Sequence, residues 1–414
     1  MIPKLYNLAQ YLYQFSVWLA TFRNPKASLW IKGRKNVYDH LKKFFFKGDN
    51  VIWIHVSSVG EFEQARPLIH QIKSQFPHFK LLLTFYSPSG YELRKDYADL
   101  DCVSYLPVDN ANNAKSFIEI INPKYTFFVK YDFWPHYLNE LQKRGYPHFI
   151  ISAIFRPNQY FFKFYGTWML DILSKVDHFF VQNNESKMLL NSRGINQVSL
   201  TRDTRFDQVH NISKSLKELP LVNAFKGESL LFLGGSTWSA GEFILKDFIT
   251  QSNMLFKYVI APHEIHTPYI RKLRAIMPGN VVLYSESTLD SVRHADILII
   301  DNIGILSSIY RYADFAYVGG GFGRGIHNIL EPASFGMPIF IGPNNIKFNE
   351  ARELKELGIA MEIKSAKQMI TKVNLLTKDS KLLLQIKEKS RKYISQNSGG
   401  TNQLMSKVFN DLLT

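Results

Sequence analysis

The chain has 414 residues, 46% of them apolar and 21% charged, which excludes a mostly disordered protein and predicts two domains. A single cysteine, Cys102, excludes an intramolecular disulfide framework and a cysteine-cluster metal site. Fifty Lys and Arg against 35 Asp and Glu leave a net charge of +15, a balance that favours polyanionic partners: nucleic acid, anionic lipid or phosphorylated substrates.

Residues 5–22, LYNLAQYLYQFSVWLATF, form an apolar and aromatic stretch followed by Arg23, Lys26, Lys32, Arg34 and Lys35. Asn7, Gln10 and Gln14 interrupt it, and a span needs about 20 predominantly apolar residues. With only Lys4 before it and no small-residue cleavage site after it, it does not read as a signal peptide. An interfacial helix fits the pattern, with aromatics at the headgroup level and cations toward anionic lipid, so residues 1–30 are predicted as a membrane-associated segment. A helix packed on its own domain is the alternative.

From Asn50 onward, short apolar runs alternate with amphipathic stretches. Predicted strands cover 51–56, 80–85, 125–129, 148–154 and 178–182, with helices over 62–76, 89–97, 113–122 and 134–145 between them. That rhythm predicts βαβ units and a parallel sheet. It restarts after the polar stretch 210–228, with strands over 230–234, 256–261, 280–284, 297–301, 315–318 and 337–341. The expectation is an α/β chain of two Rossmann-like, doubly wound domains, residues 31–208 and 209–414, facing across a cleft that would hold the active site. The last stretch, 380–413, is predicted as one or two helices, with the terminal helix able to pack back on the first domain.

No phosphate loop, H-E-x-x-H or G-x-S-x-G motif is present, and the glycines of 319–325 (GGGFGRG) do not take the G-x-G-x-x-G spacing. Three stretches can carry chemistry. In 53–68 a buried strand runs into Ser57, Ser58, Val59 and Gly60 before Glu61 opens a helix; its carboxylate could be a general base or a helix-dipole partner. In 233–242, Gly234 and Gly235 precede Ser236 and Thr237, whose donors suit a phosphate or an ordinary N-cap. In 318–343 the glycine loop lets the backbone approach a ligand, Arg324 and His327 supply donors, and Asn328 and Glu331 suit ribose hydroxyls.

Ordered motifs then carry a family resemblance over about residues 30–360. They are S-V-G-E at 58–61, A-R-P-L-I at 65–69, S-P-S-G at 87–90, Y-L-P-V-D at 105–109, F-W-P at 133–135 and D-T-R-F-D at 203–207. G-S-T-W at 235–238, A-P-H-E at 261–264 and H-N-I-L-E-P-A-S-F-G-M-P at 327–338 complete the set. With these the chain resembles the bacterial 3-deoxy-D-manno-octulosonic acid (Kdo) transferases of lipid A and lipopolysaccharide assembly. The resemblance implies a GT-B fold, a CMP-Kdo donor, a lipid A precursor (lipid IVA) as acceptor and no metal or other cofactor.

Carried over residue by residue, Glu61 matches the acidic proton acceptor. Arg205 stands where a basic residue stabilises the transition state, and Asp132 takes the place of an acidic residue in the turn before F-W-P. The resemblance assigns donor contacts to Gly235, Ser236, Thr237, Pro262, His263, Ile303, Gly304, Ile305, Arg324, Gly325, His327, Asn328 and Glu331. Ser58 and Gly60 fall on the acceptor side, and among the chain's cations Arg34, Lys35, Lys42 and Lys43 are candidates for acceptor phosphates or a solvated basic face. The implied reaction is an inverting transfer at the cytoplasmic face of the inner membrane: Glu61 deprotonates an acceptor hydroxyl, which attacks the anomeric carbon as CMP leaves. Anionic membrane is the expected partner surface and nucleic acid is not. The rival readings are another GT-B nucleotide-sugar transferase or epimerase, and a non-enzymatic basic protein that binds membrane or nucleic acid.

Overall fold

In a computed structural model, residues 4–212, 218–252 and 256–413 are described. The chain divides into two compact units, 1–208 together with 399–414, and 209–398. The first unit is built on seven parallel strands: β1 (Val51–Val56), β2 (Lys80–Phe85), β3 (Cys102–Tyr105), β4 (Pro123–Val129), β5 (His148–Ala153), β6 (His178–Val181) and β7 (Val198–Leu200). Their order is β3-β2-β1-β4-β5-β6-β7. Every residue of β1 is buried, His55 included, because helices cover both faces of a parallel sheet. One face packs Trp53 against Phe117, Phe128 and Tyr137; the other packs Ile52, Ile54 and Val56 against Phe62, Leu68 and Ile72.

The second unit repeats the plan with β8 (Leu230–Thr237), β9 (Phe256–Pro262), β10 (Val281–Leu283), β11 (Ile297–Ile299), β12 (Phe315–Val318), β13 (Ile339–Ile341) and β14 (Ala360–Glu362). Their order is β10-β11-β9-β8-β12-β13-β14, and every pairing is parallel. In each sheet the chain first winds to one side and then crosses to the other, so the order reverses between β1 and β4 and between β8 and β12. Ligands of doubly wound sheets bind beyond the carboxyl ends of the strands at such switch points.

The sequence reading misses β3, β7 and β14, which are three or four residues long, and the helix Pro220–Lys226 inside the stretch read as polar linker. It draws the second domain to 414 while allowing the terminal helix to pack back on the first, and 399–414 group with the first unit. Three helices replace the one or two expected there: Ser380–Asn397, Gly400–Val408 and Asn410–Leu413. The break falls at Gly399, whose backbone is left-handed at φ 103°. The Asp207 carboxylate accepts from the N–H of Gly399 and from both the N–H and Oγ1 of Thr401, the latter two at 2.7 Å. Leu404, Met405 and Phe409 then enter the core beside Ile54, with Phe409 against Phe76 and Tyr125.

Asp207→Ala would leave those donors buried and unpaired, at a cost of about 3 kcal/mol. The expected result is a lower melting temperature and faster proteolytic cleavage within 399–414; an unchanged cleavage pattern would show that the apolar contacts alone hold the segment.

Candidate active site

The carboxyl end of β1 runs into a small-residue turn and the helix Val59–Gln75. Glu61, in its first turn, closes a capping box with Ser58: Glu61 Oε2 accepts from the N–H of Ser57 and of Ser58, each at 2.8 Å, and from Ser58 Oγ at 3.1 Å. All three donors use one oxygen, and among the described residues none reaches Oε1. The cap thus orients the carboxyl group and leaves one oxygen unspent. Ser58 and Gly60 are exposed beside it, and a Cβ at Gly60 would meet nothing nearer than Ser58 Oγ at 3.8 Å.

Across the switch point, at the end of β4, Lys130 adopts a left-handed φ of 60° and turns the chain so that Asp132 faces the β1 turn. Ser57 Oγ donates to Asp132 Oδ1 at 2.6 Å, so Ser57 joins the two carboxyl groups, its amide on Glu61 and its hydroxyl on Asp132. Burial, and then the Glu61 charge, push the Asp132 carboxyl well above the ordinary carboxylate range. Its Oδ2 has no hydrogen-bond partner among the described residues and lies 3.6 Å from His55 Nε2.

Burial and the Arg34 charge hold the His55 imidazole down at about 3, so it is neutral. Its Nε2 accepts from Trp134 Nε1 at 2.9 Å, which leaves the proton on Nδ1, 2.8 Å from Thr84 Oγ1. Asp132 therefore sits behind Glu61 in a packed network, with its side chain 11% exposed, rather than open to a substrate.

One other expectation for this unit needs correction. Arg34 does not present its guanidinium to an acceptor: it is half-buried and donates to the carbonyls of Leu106 (2.9 Å), Tyr86 (2.8 Å) and Trp30 (3.1 Å), over the Trp30 ring. Desolvation lowers its pKa to about 10. Lys35, next to it, is exposed. Arg205 lies on a helix start and is paired with Asp203, with Nε at 2.9 Å and an Nη at 2.7 Å from the same oxygen.

In the second unit, β8 and β12 end side by side at their switch point. Ser236 takes a left-handed φ of 49°, and Gly319 packs its Cα against the Ser236 carbonyl so closely that a Cβ there would lie 2.0 Å from that oxygen. Thr237 is not free for a donor as expected: it is fully buried, and its hydroxyl donates to Glu242 Oε1 at 2.8 Å. The other Glu242 oxygen accepts from Tyr269 at 2.8 Å. Pro262 is likewise buried at the end of β9, which delivers His263 to the surface.

His263 stacks on Trp238 with ring centres 4.6 Å apart and on His327 at 4.5 Å. Trp238 Nε1 donates to His327 Nε2 at 2.7 Å, and burial followed by the His263 charge lowers the His327 pKa to about 4. Trp238 and His327 thus lie edge to edge, nearly parallel with ring centres 6.3 Å apart, and His263 stacks over the pair, a ring platform at the carboxyl edge of the sheet.

Beside that platform, Asn328 Nδ2 donates to Glu331 Oε1 at 3.0 Å, and Arg324 is exposed in the glycine loop. Gly304 has φ 92° with open space around it, and Ile303 is exposed. Ile305, next to them, is half-buried. Gly325, at φ 133°, closes the glycine loop against Phe348. The platform itself escaped the sequence reading of Trp238, as did Ser57, His55 and Glu242. Their partners lie 5 to 89 residues away in the chain, and only the W in G-S-T-W was a signal. No three His, Cys, Asp or Glu side chains gather as a metal-binding group among the described residues.

Comparison with known structures finds the same architecture in a UDP-GlcNAc 2-epimerase of Neisseria meningitidis solved with UDP-GlcNAc, at a TM-score of 0.57 and 13% identity over 84% of this chain and 99% of that one. Twin doubly wound sheets with their polar clusters at the switch points define the GT-B fold. Residues 31–208 match the family described as 3-deoxy-D-manno-octulosonic-acid transferase (kdotransferase). The 3-deoxy-D-manno-octulosonic acid transferase of Aquifex aeolicus is 28% identical over 365 residues, 86% of this chain and 95% of that protein. That of Haemophilus influenzae is 26% identical over 326 residues, 76% of each. Over most of its length the chain is thus similar to the Kdo transferases.

Proposed function

We propose that the chain moves Kdo from CMP-Kdo to a lipid A precursor of the lipid IVA type, with inversion and with Glu61 as general base. The observation that carries the reading is the position of Glu61: at the sheet's switch point, gripped through Oε2, with Oε1 left for an acceptor hydroxyl. That oxygen takes the hydroxyl proton while the acceptor oxygen bonds to the anomeric carbon and the bond to the CMP phosphate breaks. Asp132 is a positioning residue that, through Ser57, holds the turn presenting Glu61. The ring platform and the Asn328–Glu331 pair hold the nucleotide, with Arg324 for phosphate and Arg205 for charge developing in the transition state. The reading calls on no metal, since preorganised donors of this kind are each worth a few kcal/mol at a transition state.

The acceptor is lipid, and we place the enzyme on the cytoplasmic face of the inner membrane, where Lys35 and other cations attract anionic headgroups. No helix among the described residues is long and apolar enough to cross a membrane. Incubation with CMP-Kdo and a tetra-acylated lipid A precursor should raise the acceptor's mass by one or more Kdo units, and UDP-sugars should not replace the donor. Absence of any mass gain would overturn the reading.

A further inference from the structure

The N-terminal helix Lys4–Ala20 is amphipathic in the sense opposite to a water-exposed helix. Tyr6, Asn7, Gln10, Gln14 and Val17, at helical spacing, are the half-buried positions, while Leu5, Leu8, Leu12, Phe15, Trp18 and Leu19 are exposed. Its polar side is fastened down: Tyr6 donates to Asp109 Oδ2 at 2.7 Å, Gln10 to Tyr6 at 3.0 Å, and the Asn7 amide oxygen meets His136 Nε2 at 2.7 Å. Burial raises the Asp109 carboxyl to about 7. Turning hydrogen-bonding groups inward and large apolar ones outward suits an apolar solvent.

A second exposed aromatic element adjoins the first turn of that helix. Trp168 has its ring 5.8 Å from Tyr6 and 6.4 Å from Tyr160, and between Tyr160 and Trp168 the chain makes two short 3₁₀ turns, Tyr160–Phe162 and Phe164–Gly166. Phe161 and Phe162 are buried and root the loop, Phe161 against Phe133 and Phe155. Phe164 is 90% and Tyr165 60% exposed, so the loop buries two of its aromatics and displays the next two. Along the chain, the charges within both segments have one sign. Between Lys4 and Tyr38 stand Lys4, Arg23, Lys26, Lys32, Arg34 and Lys35 with no Asp or Glu, and between Ile154 and Trp168 stand Arg156 and Lys163, again with none.

Building on the membrane reading above, we propose that Phe164 and Tyr165 are a second insertion point, seated in the same anionic bilayer surface as the apolar face of the N-terminal helix. Exposed aromatics next to cations are the chemistry of that surface. Two insertion points would also fix the enzyme's orientation on the bilayer, which one helix lying in the plane leaves free to roll.

The test is cosedimentation of the full chain with vesicles of equal parts phosphatidylcholine and phosphatidylglycerol. Phe164→Glu with Tyr165→Glu should weaken binding roughly tenfold or more, with an unchanged melting temperature because neither side chain is packed. Trp18→Glu should weaken it as well. Native-like binding by the double variant, alongside loss in Trp18→Glu, would overturn the loop proposal and leave the membrane reading standing. No binding of the native chain to these vesicles would overturn both. A vesicle-free dimer that the double variant abolishes would assign the loop to a second copy of the chain and equally overturn the proposal.

Discussion

Glu61→Gln is expected to slow transfer by roughly 10²–10⁴-fold, the usual worth of a general base, while the protein stays folded. The substitution separates the two tasks of this side chain. A capping box accepts Glu or Gln at its third helical position, so the amide oxygen of Gln can still receive the Ser57 and Ser58 N–H groups that now meet Oε2. What Gln cannot do is take a proton from the acceptor. Glu61→Ala removes both tasks, and its loss should add a capping cost of about 1 kcal/mol to the loss of rate. The pair of variants is read by kcat and by melting temperature. Full transfer by Glu61→Gln would move the base elsewhere and reduce Glu61 to a helix cap.

Gly319→Ala should cripple the second unit's site, whereas Gly323→Ala, four residues along the same loop, should be close to native. At 319 the new methyl would lie 2.0 Å from the Ser236 oxygen, 2.6 Å from its carbonyl carbon and 2.8 Å from Thr237 Cα. These are backbone atoms that cannot rotate aside. The Gly319 N–H also donates to Gly235 at 2.9 Å, and its carbonyl accepts from His327 at 3.1 Å. Forcing the strand ends apart would therefore disturb the turn at Ser236 and the ring platform together. Overpacking of this kind costs about 1–3 kcal/mol or more, and at least a tenfold loss of CMP affinity should accompany it. At 323 a methyl meets only the Gly320 carbonyl, at 3.6 Å. Calorimetric titration with CMP checks both variants, and equal affinities would refute the role given to the close approach.

The acidic pair shows where sequence reading stops. Glu61 was legible because S-V-G-E follows a strand that is apolar but for His55, and its position in a helix start follows from local chain geometry. Asp132 was legible as an acid near F-W-P, but its burial behind Ser57 and His55 comes from β4 lying beside β1, with 75 residues between the partners. Arg34 misled for a related reason. A run of cations at the end of a helix reads as a solvated face, while its carbonyl partners at Tyr86 and Leu106 lie 52 and 72 residues on. Thr237 looked like a donor ligand because nothing nearby in the motif announced that Glu242 would claim it.

Amino-acid order alone established the two α/β halves, the chemistry-bearing turns and the family likeness, since each rests on signals a few residues to a helix-length long: apolar runs, caps, glycines. Folding settled the rest. Which carboxyl is open and which enclosed, the stacking of Trp238, His263 and His327, the return of 399–414 to the first unit and the outward apolar face of the N-terminal helix all depend on partners distant in the chain. A side chain's desolvation and hydrogen-bond partners are set by what packs around it, and that neighbourhood exists only once the sheets have formed.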